Sequence, residues 1–387
     1  MNPQNSPQPR FNKRKKILFV FIYAVVLIVI TELMVRAVFA YPKTFQMLAS
    51  DGEINASAIW RHQWIKRKRQ EMRRNPETSK LTFNYGQHHP IRGWQLRAGS
   101  QDPNAFGEGV TVNSQGIRGV REYPYTRVPG KRRILILGDS FTFGTEVGDD
   151  ETYPYHLQQL LPQDEVINMG VFGYGHDQML LYLKEEGVKY NPDIVIIGYL
   201  SCDDSRNVLD FRDYAKPVFQ YKAGELTLTQ TPIPTPDETL RREWRKLKII
   251  DLIQILARKF TIKSGAYKEH EQTMTKTILK EMIRTIQEMG AVPVIAHIDG
   301  IRNNQMEKKA MKQDIWDFIH YWVKEEHVLT AFLLPYLEQE RKKPFLDQIK
   351  AGKKIVVQRK YGHFSPWENQ KVAEGLRDYL VQAGLVK

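Results

Sequence analysis

Apolar positions in this chain fall into two kinds of pattern, one long run near the amino terminus and several short runs further on. The long run is "ILFVFIYAVVLIVIT" at 17–31, which resumes after Glu32 through "LMVRAVFAY". A helix of about 20 apolar residues crosses the hydrocarbon core of a bilayer, so the pattern predicts a transmembrane anchor over 16–40. Glu32 and Arg36 lie at helical spacing near its outer end, where they pair or snorkel. Arg10, Lys13, Arg14, Lys15 and Lys16 directly precede the run. The positive-inside rule then keeps a polar tail, 1–15, in the cytoplasm and exports the chain beyond the anchor in a single pass, to the periplasm or the cell exterior. The small residues "VFA" at 38–40 leave a cleaved signal peptide as the competing reading, and the charged pair before them favours a retained anchor.

The short runs are "RRILILG" at 132, "EVINMG" at 165, "PDIVIIGYL" at 192 and "AVPVIAHI" at 291. Their near-continuous apolar character suits strands covered on both faces. Between them stand helical patterns, "ETYPYHLQQLL", "DQMLLYLKEEGV" and "TMTKTILKEMIRTIQEMG", the last with a glycine stop. Strand alternating with helix predicts a parallel, doubly wound sheet. The globular domain is expected over 81–387, after a partly helical neck over 41–80. An insertion at about 208–275 is long for a loop. It holds a predicted hairpin, "PVFQYKAGELTLTQ", and the amphipathic stretch "LRREWRKLKIIDLIQILARKF", read as one helix serving as a lid or as decoration.

Charge and cysteine content change the picture little. Much of the net charge of +13 sits in the anchor flank and in "RHQWIKRKRQEMRR" from Arg61. With Trp60, Trp64 and Ile65 beside it, this second run predicts a basic helix over 59–74 able to rest on anionic headgroups. No nucleic-acid reading motif accompanies it, so nucleic acid is not an expected partner. The single cysteine, Cys202, rules out an internal disulfide and a cysteine-based zinc site.

Candidate chemistry begins where "RRILIL" runs into Gly138-Asp139-Ser140. In open α/β sheets ligands bind at the carboxyl ends of strands, and backbone N–H groups left free in such a turn can form an oxyanion hole. A Gly-Asp-Ser tripeptide alone is a weak signal, and an N-cap serine is the commoner reason for one. The glycines of "NMGVFGYG" at 168–175 and the polar "GYLSCDDSRN" reach the same edge, and "YGHFSPWENQKVAEGL" sets His363 in a loop before the last helix.

With these blocks in order, and "VNSQGIRG" upstream, the chain from about residue 84 resembles the SGNH/GDSL hydrolase family, in a subgroup with an amino-terminal membrane anchor. The resemblance implies a flavodoxin-like three-layer α/β/α fold without metal or organic cofactor. It implies that Ser140 is the nucleophile and one oxyanion donor, Gly173 a second donor, and His363 the general base. Two positions depart from the family pattern. Where Gly-x-Asn-Asp supplies an oxyanion amide, Cys202 or Asp203 stands, with Asn207 as another candidate. Where Asp-x-x-His supplies a carboxylate, Lys360 stands, leaving a Ser140–His363 dyad, a carboxylate from elsewhere, or lost activity. The expected function is a serine esterase acting on an acylated carbohydrate or a lipid-like ester of the envelope. An O-acyltransferase acting on envelope polysaccharide and a catalytically impaired glycan-binding or assembly protein are the alternatives.

Overall fold

A computed structural model describes residues 13–49, 57–75, 81–83, 85–103, 105, 109–263, 265–299, 317–318, 320–333, 335–337 and 362–387. Its centre is a parallel sheet of β1 (Arg133–Gly138), β2 (Glu165–Gly170), β3 (Ile194–Tyr199), β4 (Val292–His297) and β5 (Leu329–Phe332), in the order β2-β1-β3-β4-β5. This is the flavodoxin-type doubly wound order. Ile134 of β1 faces Val166 of β2 and Ile194 of β3, and Ile194 in turn faces Val292 of β4.

Alternation along the strands divides the core into two layers. Leu135, Leu137, Ile167, Met169, Val195 and Ile197 face one way, and Ile134, Ile136, Val166, Ile194, Ile196 and Val294 the other. The first set packs on Met179, Leu180 and Leu183 of the helix His176–Glu185 and on Ile278, Met282 and Ile286 of the helix Ala266–Glu288. The second packs on Leu157 of the helix Tyr153–Leu160 and on Val372, Leu376 and Leu380 of the helix Pro366–Gln382. Each fully buried side chain of this kind contributes about 1.5–3 kcal/mol relative to exposure. Two such layers on one sheet make the three-layer α/β/α architecture. The fifth strand escaped the hydrophobic reading because it has only four residues.

The apolar amino-terminal run forms one helix, α1 (Lys13–Ala40), long and apolar enough to cross a membrane. The basic run forms α2 (Ser57–Arg74). Here the expectation of a membrane-resting apolar face is corrected. Trp64 and Ile65 are buried, with the Trp64 ring 5.0 Å from that of Tyr214 and 6.0 Å from that of Phe211. Trp60 is half-buried, with the Arg212 guanidinium 4.4 Å from its centroid. The apolar side of α2 is a core face.

Between β3 and β4 the hairpin forms from Val218–Lys222 and Glu225–Thr229. The stretch expected as one helix is two, α3 (Pro236–Arg245) and α4 (Lys248–Lys263). Thr235 and Glu238 form a capping box at the start of α3, and at its end Lys246 turns to extended backbone.

Candidate active site

The site grows from the carboxyl end of β1. Ser140 opens the short helix Ser140–Phe143, and Asp139 is its N-cap, accepting the Phe141 N–H at 2.9 Å. A side chain at Gly138 would lie 1.8 Å from the Thr142 hydroxyl, so glycine is what lets the helix close against the strand end. As the first helical residue, Ser140 has an N–H with no intrahelical acceptor.

His363 arrives from the other end of the chain. It precedes the Pro366–Gln382 helix, which Ser365 and Glu368 close with a capping box. Asn369 Oδ1 accepts the Tyr153 N–H at 3.0 Å, fastening this helix to Tyr153–Leu160. The imidazole packs on Phe141, centroids 4.9 Å apart, and its Nε2 is 3.0 Å from Ser140 Oγ across 223 residues of sequence.

Behind the imidazole stands a carboxylate that no motif announced. Glu146 Oε2 accepts the backbone N–H groups of Gly362 at 2.6 Å and His363 at 2.9 Å, and lies 3.5 Å from His363 Nδ1. Nδ1 is buried and finds no hydrogen-bond partner among the described residues, so Glu146 is the anion it faces, just beyond bonding distance. With the imidazole proton on Nδ1, toward the carboxylate, the Nε2 lone pair is directed to the serine hydroxyl. Glu146 has φ of +74°, a left-handed conformation that costs about 1–2 kcal/mol for a residue with a side chain. Arg118, from the "VNSQGIRG" block, holds this loop. It donates to the carbonyls of Phe143 at 3.2 Å, Gly144 at 3.3 Å and Val147 at 2.9 Å, and pairs with Asp149 at 2.5 Å.

Gly173 has φ of +76°, and a Cβ there would lie 2.1 Å from Asp213 Oδ2. Its loop is tied down from Gly93–Leu96, a strand paired antiparallel with Gly86–His89, where Trp94 Nε1 donates to the Phe172 carbonyl at 3.0 Å and the Tyr174 hydroxyl to the Trp94 carbonyl at 2.5 Å.

After β3 the expected oxyanion candidates are occupied elsewhere. The Cys202 thiol points to Asp203 Oδ1 at 3.7 Å, and burial, reinforced by that carboxylate, raises its pKa well above the usual thiol value. Asp203 is fully buried and lies 2.6 Å from Arg206 Nη1, which also donates to Asp139 Oδ2 at 3.0 Å and to the Tyr174 carbonyl at 2.8 Å. Burial pushes the Asp203 carboxyl upward, the nearby Asp139 and Asp204 add to this, and Arg206 opposes it. Asn207 is corrected as a candidate. Its amide donates to Thr275 Oγ1 at 2.8 Å and meets His176 Nδ1 at 3.2 Å, while its oxygen accepts the Asp177 N–H at 3.2 Å. Lys360 lies outside the described residues. No cluster of metal-ligating side chains occurs among the described residues.

Sequence reasoning missed Glu146, Arg118 and Arg206. The only local signal for Glu146 was an acid two residues beyond Gly144, where a left-handed turn ends the Ser140 helix.

No family model matches the sequence, and no curated protein matches it. Solved structures similar to this chain include a member of the lipolytic protein G-D-S-L family from Veillonella parvula, 9% identical with a TM-score of 0.38, covering 65% of this chain and 99% of that one. A GDSL-like lipase from Bacteroides thetaiotaomicron is 11% identical with a TM-score of 0.35, covering 66% and 89%. A catalytic mutant of an acetylxylan esterase from Geobacillus stearothermophilus is 12% identical with a TM-score of 0.36, covering 68% and 99%.

Proposed function

We propose that this protein is a membrane-anchored serine esterase in which Ser140, His363 and Glu146 act together on an acyl ester of a cell-envelope component. The observation that carries the reading is the 3.0 Å contact between Ser140 Oγ and His363 Nε2, with the Glu146 carboxylate on the opposite side of the ring. A hydroxyl, an imidazole and a carboxylate in that line form the constellation of acyl-transfer enzymes on unrelated folds.

Nε2 takes the hydroxyl proton as Oγ attacks the ester carbonyl carbon. The carbonyl π pair moves to oxygen, and the oxyanion is met by the N–H groups of Ser140 and Gly173. Collapse expels the alcohol, which takes the proton from Nε2 and leaves a seryl ester. Water repeats the sequence, giving its proton to Nε2, and the acid leaves as Oγ recovers its hydrogen. Glu146 stabilises the imidazolium in both halves. Lys360 at the acidic position of the His363 motif does not exclude catalysis, because Glu146, two residues beyond the turn that ends the Ser140 helix, supplies a carboxylate.

Arg10 and the basic first turn of α1, Lys13 to Lys16, directly before the apolar run, support a cytoplasmic amino terminus and an exported domain. O-acylated envelope polysaccharide or a lipid-like ester is then the accessible substrate class. An alkyl fluorophosphonate tests the site without knowledge of the substrate. Labelling of the wild type, lost in Ser140→Ala, is the expected result, and a folded wild type that stays unlabelled across a broad pH range overturns the reading in favour of a binding module. A reporter fused after Lys387 should behave as exported, with the protein retained in membranes through a carbonate wash. A soluble form beginning near Tyr41 would show cleavage instead.

A further inference from the structure

Helix α4 carries an apolar stripe that the domain does not cover. Ile250, Ile253, Leu256 and Phe260 are 44%, 58%, 52% and 73% exposed, and Trp244 and Leu247 continue the row backward at 76% and 45%. The spacing of three to four residues puts the four α4 residues on one side of that helix, while Trp244 lies in the last turn of α3 and Leu247 in the turn between the two helices. Another side packs inward, with Ile255 buried and Ile249 and Leu252 half-buried against the cluster of Val35, Phe39, Phe45, Ala58 and Ile59. Two sides of α4 are therefore apolar, and among the described residues only one of them has a partner.

The anchor supplies part of that partner, through Val35 and Phe39. Glu32 of α1 accepts the N–H groups of Lys248 at 2.9 Å and Ile249 at 3.0 Å, capping α4. Arg36 pairs with Glu32 at 2.7 Å and donates to the Lys246 carbonyl at 3.1 Å. From Ile17 to Arg36 the anchor rises about 30 Å, the thickness of a hydrocarbon core. The junction with α4 therefore falls at the outer end of the span.

We propose that α4 is a second membrane element, with the stripe from Trp244 to Phe260 bedded in the outer leaflet beside α1. Beside the stripe, Arg69, Arg241 and Arg245 surround Trp244 and Leu240 in a shallow groove. All three arginines are exposed, and none forms a salt bridge among the described residues. Guanidinium groups around an exposed indole at this level suit the phosphates of anionic phospholipids. The occupant of the free face is thus the bilayer, held there by covalent continuity with the anchor and by a cationic rim. The insertion serves as a foot that fixes the domain against the membrane. This rests on α1 spanning the bilayer.

The test uses the full chain with Cys202→Ser, reconstituted in phosphatidylcholine vesicles with and without phosphatidylglycerol. An environment-sensitive fluorophore is attached in turn at Ile253→Cys, Phe260→Cys, Leu27→Cys in the span and Lys222→Cys in the hairpin. The expected result is quenching by spin-labelled lipid and loss of iodide quenching at 253 and 260, as at 27, with the reverse at 222. Iodide quenching at 253 and 260 while 27 remains in lipid overturns the proposal and leaves the anchor intact. Shielding of 253 and 260 from both quenchers overturns it in favour of a protein partner. If 27 is quenched by iodide, the spanning reading fails and α4 falls with it. Phosphatidylglycerol should strengthen lipid contact at 253, and Arg69→Gln, Arg241→Gln and Arg245→Gln together should remove that gain. Equal contact in both vesicle types overturns the headgroup role of the arginines.

Discussion

Glu146 and His363 are 217 residues apart in sequence, yet one carboxylate oxygen takes the His363 backbone N–H at 2.9 Å and lies 3.5 Å from its Nδ1. The same atom therefore positions the loop and faces the ring. Shortening or neutralising that side chain separates the two effects.

Glu146→Gln should lower kcat for an aryl acetate by about 10²–10⁴-fold with KM nearly unchanged, since an amide keeps an acceptor for the backbone but cannot balance an imidazolium. Glu146→Asp should recover part of the loss. Steady-state kinetics on all three proteins decide the matter, and a Glu146→Gln enzyme as fast as wild type would leave a Ser140–His363 dyad.

Arg118 acts on the site through the loop it holds. Lysine cannot reproduce the forked donation to the Phe143, Gly144 and Val147 carbonyls. Arg118→Lys should therefore cost about tenfold in kcat while the protein stays folded, and Arg118→Met should destabilise it by about 1–3 kcal/mol by leaving the Phe143, Gly144 and Val147 carbonyls without their buried donor. Urea denaturation and kinetics measured on the same preparations would expose an error if activity survived while stability fell.

Gly173→Ala meets both a left-handed backbone and the Asp213 carboxylate. Displacing one oxyanion donor costs about 10²–10³ in kcat, so the variant should fall toward that range. Gly173→Ala with Asp213→Gly relieves the collision and should recover more activity than the single change. Equal rates in both variants would place the damage elsewhere.

A pH effect on stability should come from His176, which is fully buried, stacked on Tyr199 with centroids 5.1 Å apart, and held by burial at a pKa of about 3. Its folded-state pKa lies below the unfolded value of about 6.5. Between these values the unfolded chain binds the proton and the folded one does not, so stability falls as pH falls from about 6.5 toward 3. The slope is at most about 1.4 kcal/mol per pH unit. Subtracting the profile of His176→Asn from that of wild type isolates this contribution from the carboxylates. A difference that stays flat over the window would show that the histidine titrates normally.

Short-range pattern was sufficient for much of this protein. Continuous apolar runs bracketed by turns specify strands buried on both faces, and a strand ending in Gly138 places Ser140 at the edge where ligands bind, because both follow from local sterics and burial. The long apolar amino-terminal helix was legible for the same reason. Long-range pairing was not. Glu146 lies beside His363 only because a left-handed turn after the Ser140 helix meets a loop from the far end of the chain, and nothing in either segment encodes the other. The role of an apolar stripe was equally undecided: Trp64 on α2 meets Phe211 and Tyr214 and Ile65 is buried in the same core, while Ile253 and Phe260 on α4 are exposed. Hydrophobic periodicity states that a helix has an apolar side, and only the packing of the other elements decides whether protein covers it.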